Sequence, residues 1–269
     1  MAYDARRRNR NIGTAKSGHG QSNKLTIPSR WTEDRVFYEV LEGPVVVSRE
    51  VHGRTVTFLV EPTRSDCFHA CTLDDVVERL RMIPLEPQRD VSLFLLRQPT
   101  RKQQILSPVW GRLSYWSNLG RYAGTAVFLE AQPVGLELRW SKSLSPERRR
   151  ELERLEDDGH SIEATKRDYV ISSTPEAIRS TQLYRTLSHE IGHNAHYLEV
   201  VEDRITASRT RDELEAEYDE IPTDEREKYA HRFADSEKAA AMERGWIPFP
   251  RRVLRDQMRL DGLSADWFS

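Results

Sequence analysis

The stretch Leu187-Ser188-His189-Glu190-Ile191-Gly192-His193-Asn194-Ala195-His196 holds the pattern His-Glu-x-x-His, the one arrangement in the chain that names a chemistry. On an α-helix, residues four apart lie on one face a turn apart, so His189 and His193 can aim two imidazole nitrogens at one point. A tetrahedral Zn²⁺ requires just that of its first two ligands. Glu190 sits about 100° further round the helix, where it can reach a water on the metal without becoming a ligand, the place of a general base. Leu183, Leu187, Ile191 and Ala195 recur every four positions and give the helix an adjoining apolar face. Thr174-Pro175-Glu176 supplies a start, with Thr174 as N-cap and Pro175 at the first helical position. A surface helix with two histidines is the bland account, and the glutamate at its fixed spacing argues against it.

Two histidines and a base leave a third ligand to be found, and zinc sites commonly take it from a later element. Glu227 is the candidate, in Glu227-Lys228-Tyr229-Ala230-His231-Arg232-Phe233-Ala234-Asp235 on a second helix. Ala230 and Ala234, with Phe233 between them, give that helix a small-residue face on which the motif helix can pack closely. Should Glu227 not ligate, His196, Asp235 and Glu237 are next in line. His231, one turn beyond Glu227, lies on the ligand face and could orient a ligand. A donor to a developing oxyanion could come from His196, Tyr197 or His231.

Taken together, His189-Glu190-x-x-His193 and Glu227-x-x-Ala230-His231-x-Phe233-Ala234 resemble the ImmA/IrrE-like family of small zinc metallopeptidases, over about residues 165–245 and the strands just before them. Two departures stand out: His231 where the family usually has Asn, and a longer acidic insertion before Glu227. The resemblance implies an α+β, zincin-like fold. In it a small twisted, mostly antiparallel sheet would lie with its edge strand over the metal, packed on the active-site helix and the ligand-bearing helix. It also implies one Zn²⁺ per chain and hydrolysis of a protein or peptide substrate, which could be a regulatory protein. The alternative is a non-catalytic regulatory or interaction module retaining a structural zinc.

Composition sets the frame. The chain has 269 residues, 38% hydrophobic and 31% charged, with a formal net charge of −2, so nothing global points to nucleic acid. No stretch approaches the eighteen or so apolar residues of a membrane span, and Met1 to Arg8 lacks the apolar core of a signal peptide. A cytoplasmic location with no membrane partner is the expectation. Cys67 and Cys71 do not make a disulfide framework, and their spacing, with His69 between, is loose for a zinc knuckle. They read as small buried cysteines flanking a helix start.

Four divisions follow from the order of the chain. Residues 1–30 read as a disordered basic tail, the one segment whose charge could touch nucleic acid. Residues 31–90 read as an N-terminal α/β subdomain. Its strands are Val36 to Leu41, Val45 to Val47 and Thr55 to Val60, and a helix capped by Thr72 stops at Pro84. Residues 91–250 read as the zincin-like domain. Its strands are at Val91 to Leu96, Ile105 to Trp116, Gly124 to Glu130 and Tyr169 to Ile171, with a charged helix capped by Ser145. Gly124 to Glu130 is the expected edge strand, able to take an extended peptide by strand addition. The acidic run 202–226 reads as irregular surface or a lid. The helix after Pro222 takes Thr223 or Asp224 as its cap and ends at Gly245. Residues 251–269 read as a C-terminal helical tail, with a helix from Val253 to Leu260.

Overall fold

A computed structural model describes residues 36–106 and 108–269, and places Met1–Val40 and Leu41–Ser269 in separate compact units. The expected basic tail, 1–30, lies outside the described residues. Within the first unit, 36–40 is a turn rather than the expected strand. The Glu39 N–H donates to the Val36 carbonyl at 2.9 Å and the Val36 N–H to the Glu39 carboxylate at 3.0 Å, so the segment satisfies its polar groups on itself.

In the second unit the chain begins with β1 (Val45–Val51) and β2 (Arg54–Val60), an antiparallel hairpin turned at His52 and Gly53, both with positive φ. After β3 (Cys67–Phe68) comes α1 (Leu73–Met82). Thr72 and Asp75 form a reciprocal capping box at its start. The crossover through α1 brings β4 (Val91–Arg97) back parallel to β2, as such a connection must. Then come α2 (Arg101–Leu106), β5 (Gly111–Asn118), β6 (Ala123–Glu130) and the short β7 (Gln132–Pro133), which pairs with β3.

The main sheet has five strands in the order β1-β2-β4-β6-β5. Its three inner strands run parallel and only its two outer pairs are antiparallel, so it is mixed where the expectation was mostly antiparallel. β4, buried at six of its seven positions, is the near-continuous apolar strand a doubly covered parallel sheet needs. This sheet crosses residue 90, where a subdomain boundary was expected. The expected edge strand is also displaced: β6 lies between β4 and β5, and β5 is the edge. The strand expected to begin at Ile105 begins at Gly111. Ile105 and Leu106 end α2, and Pro108 has no N–H to give a ladder.

β8 (Glu137–Ser141), α3 (Pro146–Asp157, capped by Ser145), β9 (Ser161–Ala164) and β10 (Asp168–Ser172) follow, the strands forming a second sheet in the order β8-β10-β9. A continuous helix then runs from Pro175, capped by Thr174, to Val200. It comprises α4 (Pro175–Ser180), one wider π turn (Thr181–Thr186) and α5 (Leu187–Val200). The acidic stretch expected to be irregular contains α6 (Arg211–Glu220), held by a Thr210–Glu213 capping box. α7 (Thr223–Glu243) begins after Pro222, which caps it without a side-chain bond. It ends at Gly245, whose φ of +67° suits a helix stop. α8 (Arg255–Leu260) is shorter than expected, and the residues after it are no loose tail. Met258, Leu263 and Phe268 are buried in the main core with Phe58, Leu80, Phe94, Leu183 and Ile191. The fold is thus α+β. Among the described residues no helix is long and apolar enough to cross a membrane. Cys67 and Cys71 are both buried and free, as expected.

Candidate metal centre

Two helices build the centre, and a glycine lets them meet. A Cβ on Gly192 would stand 3.0 Å from the Ala230 Cα and 3.1 Å from the Ala230 carbonyl oxygen, closer than packed atoms tolerate. With Ala230 and Ala234 fully buried opposite, α5 and α7 approach until Glu227 faces the motif. The His189 and His193 Nε2 atoms lie 3.1 Å apart. The Glu227 carboxylate reaches them at 3.3 and 3.5 Å respectively. One donor atom from each of the three residues falls within 4.8 Å of the others, so this group could hold a metal ion.

Protonation suits that role. Burial, reinforced by His189, brings the His193 imidazole down to about 4, so it is neutral with a free lone pair at neutral pH. A hydrogen bond from His189 holds the Glu227 carboxyl below the usual range in spite of its burial. A metal needs its ligands deprotonated, and the neutral His193 and the ionised Glu227 meet that need. Glu190 is only 8% exposed; burial pushes its carboxyl up to about 7, against the pull of His189 and the Leu113 N–H that donates to it. Glu190 therefore sits beneath edge strand β5, next to the ligand group and outside it.

The other three expected residues divide. The His231 ring lies 4.4 Å from the His189 ring, and burial first, then His189, brings its pKa down to about 3. It is a neutral neighbour of a ligand. His196 is stacked on Tyr229 with ring centres 4.3 Å apart and an interplanar angle of 12°, a packing role. Tyr197 does not serve as an oxyanion donor here. Its hydroxyl donates to Glu215 at 2.7 Å, and its ring stacks on Tyr115 within a separate cluster with Val201, Leu214 and Tyr218.

Several residues that matter to the centre were not picked out from the sequence. The Tyr115 hydroxyl, on β5, donates to the His193 carbonyl at 3.0 Å and meets the Tyr218 hydroxyl at 3.0 Å. This ties the edge strand, α5 and α6 together. Gln182, in the π turn, donates to the carbonyls of Trp110 at 2.9 Å and Glu130 at 2.7 Å, fixing where β5 begins over the helix. Arg185, one turn before His189, grips Glu151 of α3 at 2.8 and 2.9 Å and Asp158 at 2.8 Å. Asp158 also takes a bond from Lys238 of α7 at 2.8 Å; burial works against its charge, yet Arg185 and Lys238 hold it below the usual carboxylate range. Only the i, i+4 spacing of Arg185 and His189 hinted at this.

A cleft of about 510 Å³ opens over His189, Glu190, His193 and Glu227, flanked by Arg112, Tyr115, Tyr218 and Arg226. A smaller recess of about 250 Å³ adjoins it past His231 and Arg185. Compared with protein-family models, with curated proteins and with solved structures, the chain matches none.

Proposed function

We propose that this chain is a zinc-dependent metallopeptidase of the zincin kind. One observation carries the proposal: two imidazole nitrogens and a carboxylate converge on a point beside a buried glutamate that is not among them, on a cleft of about 510 Å³. Donors about 2.0–2.1 Å from a tetrahedral zinc stand about 3.3–3.4 Å from one another. The observed separations of 3.1, 3.3 and 3.5 Å are of that size.

His189, His193 and Glu227 would hold the ion. When bound, Zn²⁺ lowers the pKa of a water to about 7 and polarises a carbonyl. Glu190 would take the proton from the attacking water and pass it to the leaving amine nitrogen. Its burial matches this work, because a carboxylate of raised basicity is the better acceptor near neutral pH. The Leu113 N–H aims the Glu190 carboxylate, and Tyr115 fixes the His193 backbone, so base and ligand are both positioned from the edge strand. The peptide would lie along the cleft beside β5, with Tyr218, Arg226 or His231 near enough to be tested as a further donor.

Zinc content and cleavage of a denatured protein mixture, read side by side for the native chain, Glu190→Gln and Glu227→Ala, test this. One zinc per chain and cleavage in the native protein, zinc without cleavage in Glu190→Gln, and loss of both in Glu227→Ala are expected. Zinc with no cleavage in any form would leave a structural site in an interaction module. No zinc in any form would end the proposal.

A further inference from the structure

Beside the metal cleft lies a second cavity, of about 380 Å³, that the proposed chemistry does not use. Its walls are mainly apolar: Trp110, Leu136, Leu138 and Trp140, with Ile105 and Val109 at the side. Trp110 and Leu136 are held from behind by the small core of Phe68, Ala70 and Ile178, so the walls are built rather than draped. The cavity adjoins the cleft and shares lining residues with it. Pro108, Val109 and Trp110 line both it and the recess beside His189, while Val109 and Arg112 line both it and the cleft over Glu227. Its volume falls within the range of about 300–1,000 Å³ typical of pockets that bury a ligand.

Charge at the bottom narrows the occupant. Arg97 donates to Glu130 at 2.8 Å with both side chains almost wholly buried, and Arg112 donates to the other Glu130 oxygen at 3.2 Å. Both Glu130 oxygens are thus engaged by guanidinium groups, and buried Glu61 stands close enough to act on Arg97. A lysine or arginine side chain would lose its hydration against these apolar walls, with the Glu130 carboxylate already engaged. An uncharged apolar side chain meets two indoles and two leucines.

We infer that this cavity takes an aromatic or branched aliphatic side chain of an extended peptide bound in the metal cleft, and so sets which peptides bind there. The inference rests on the hydrolase proposal for its substrate, and on the shared walls of the cavities for its place. A single buried side chain of that kind is worth roughly 10- to 100-fold in affinity over glycine.

The test uses the full chain as zinc-loaded Glu190→Gln, which binds without cutting. Fluorescein-labelled octapeptides, identical except for Phe, Leu, Gly or Lys scanned through each position, are titrated by polarisation. At one position Phe and Leu should bind at least about tenfold more tightly than Gly, with Lys weaker than Gly. Leu138→Arg, on the half-exposed strand β8, should erase the preference for Phe and Leu over Gly; Trp140→Ala should weaken Phe most. Equal affinity for Phe and Gly, a preference that survives Leu138→Arg, or no binding by any peptide overturns the inference. Cleavage by the native chain is read separately. Peptides that bind with the preference but stay intact refute hydrolysis and leave the pocket standing. Cutting without preference refutes the pocket and leaves hydrolysis.

Discussion

At the scale of residues, the proposed chemistry depends on one side chain whose place suits a base rather than a ligand. Glu190 is next to His189 in sequence yet a third of a helical turn away from the ligand face, and Leu113 of β5 bonds to it. Substituting Glu190→Gln keeps the shape and removes the proton acceptor. Turnover should fall by at least 10²–10⁴-fold with zinc content unchanged, measured on any peptide the native chain cuts. An unchanged rate would assign the base elsewhere. Glu227 carries the opposite expectation. Among the described residues it is the group on α7 that joins the two motif histidines in a cluster able to hold a metal ion, so Glu227→Ala should release the metal while the fold holds. Zinc affinity, read by competition with a chromophoric chelator, checks it: equal affinity in the variant would hand the third position to another group. His231, whose ring lies against that of His189, should when changed to Asn weaken zinc affinity by about 10- to 100-fold, as loss of a neighbour that orients a ligand does.

At the scale of elements, the centre exists because α5 and α7 pack closely, and Gly192 is where they touch. Gly192→Ala sets two effects against each other. Alanine gains about 1 kcal/mol in helix propensity, but its Cβ must push backbone at 3.0 Å. Overpacking costs about 1–3 kcal/mol, so the net change should be destabilising, and it should weaken zinc retention because the shift moves Glu227. Urea unfolding with and without zinc checks both; a stabilised protein holding zinc as before would show that α7 yields freely. The motif helix itself was legible, down to its Thr174 cap and Pro175, because capping and a four-residue apolar repeat are local signals. So were β4, α1 and the approach of Glu227 on α7 to the motif histidines, since the small residues of α7 announce close packing. Gly192 was not, since a glycine in a motif helix looks the same whether or not a neighbour crowds it. The π turn at Thr181–Thr186 left no local mark either. β6 was found and misplaced: its residues reveal a strand, but whether it lies inside the sheet or at its edge depends on which strand returns beside it, a long-range matter. β8, β9 and α6 were hidden by charge, because on short exposed elements composition resembles loop.

At the scale of the whole molecule, the two ends of the described core are tied together away from the metal. The Thr72 hydroxyl donates to the Arg252 carbonyl at 2.9 Å, the Arg252 N–H to Asp75 at 3.0 Å, and the His69 N–H to the Trp267 carbonyl at 2.8 Å. Asp75 also holds Arg179, at the start of the motif helix, with two bonds of 2.9 and 3.0 Å. The last residues are therefore structural: Phe268→Ala should cost about 3–5 kcal/mol, as an urea midpoint would record, whereas a loose tail would cost nothing. The same region predicts how stability follows pH. His69 is wholly buried against the Phe268 ring, its Nε2 bonded to the Glu61 carbonyl at 2.8 Å, and burial brings its pKa down to about 4 from an ordinary 6.5. The folded protein thus holds it neutral while the unfolded chain takes up a proton below 6.5. Between those values the unfolded state binds more protons, so stability must rise with pH from about 4 to 6.5 and level off above. The full span is on the order of 3 kcal/mol for this one group. His69→Gln can keep a bond to the Glu61 carbonyl and cannot titrate. Unfolding by urea at pH 7 and pH 5, with chelator present throughout so that metal release contributes to neither protein, should show a smaller loss in the variant than in the native chain. The centre's own histidines titrate alike in both and cancel in the difference. Parallel losses would mean that His69 stays solvated in the folded protein, and that the C-terminal residues do not close over it.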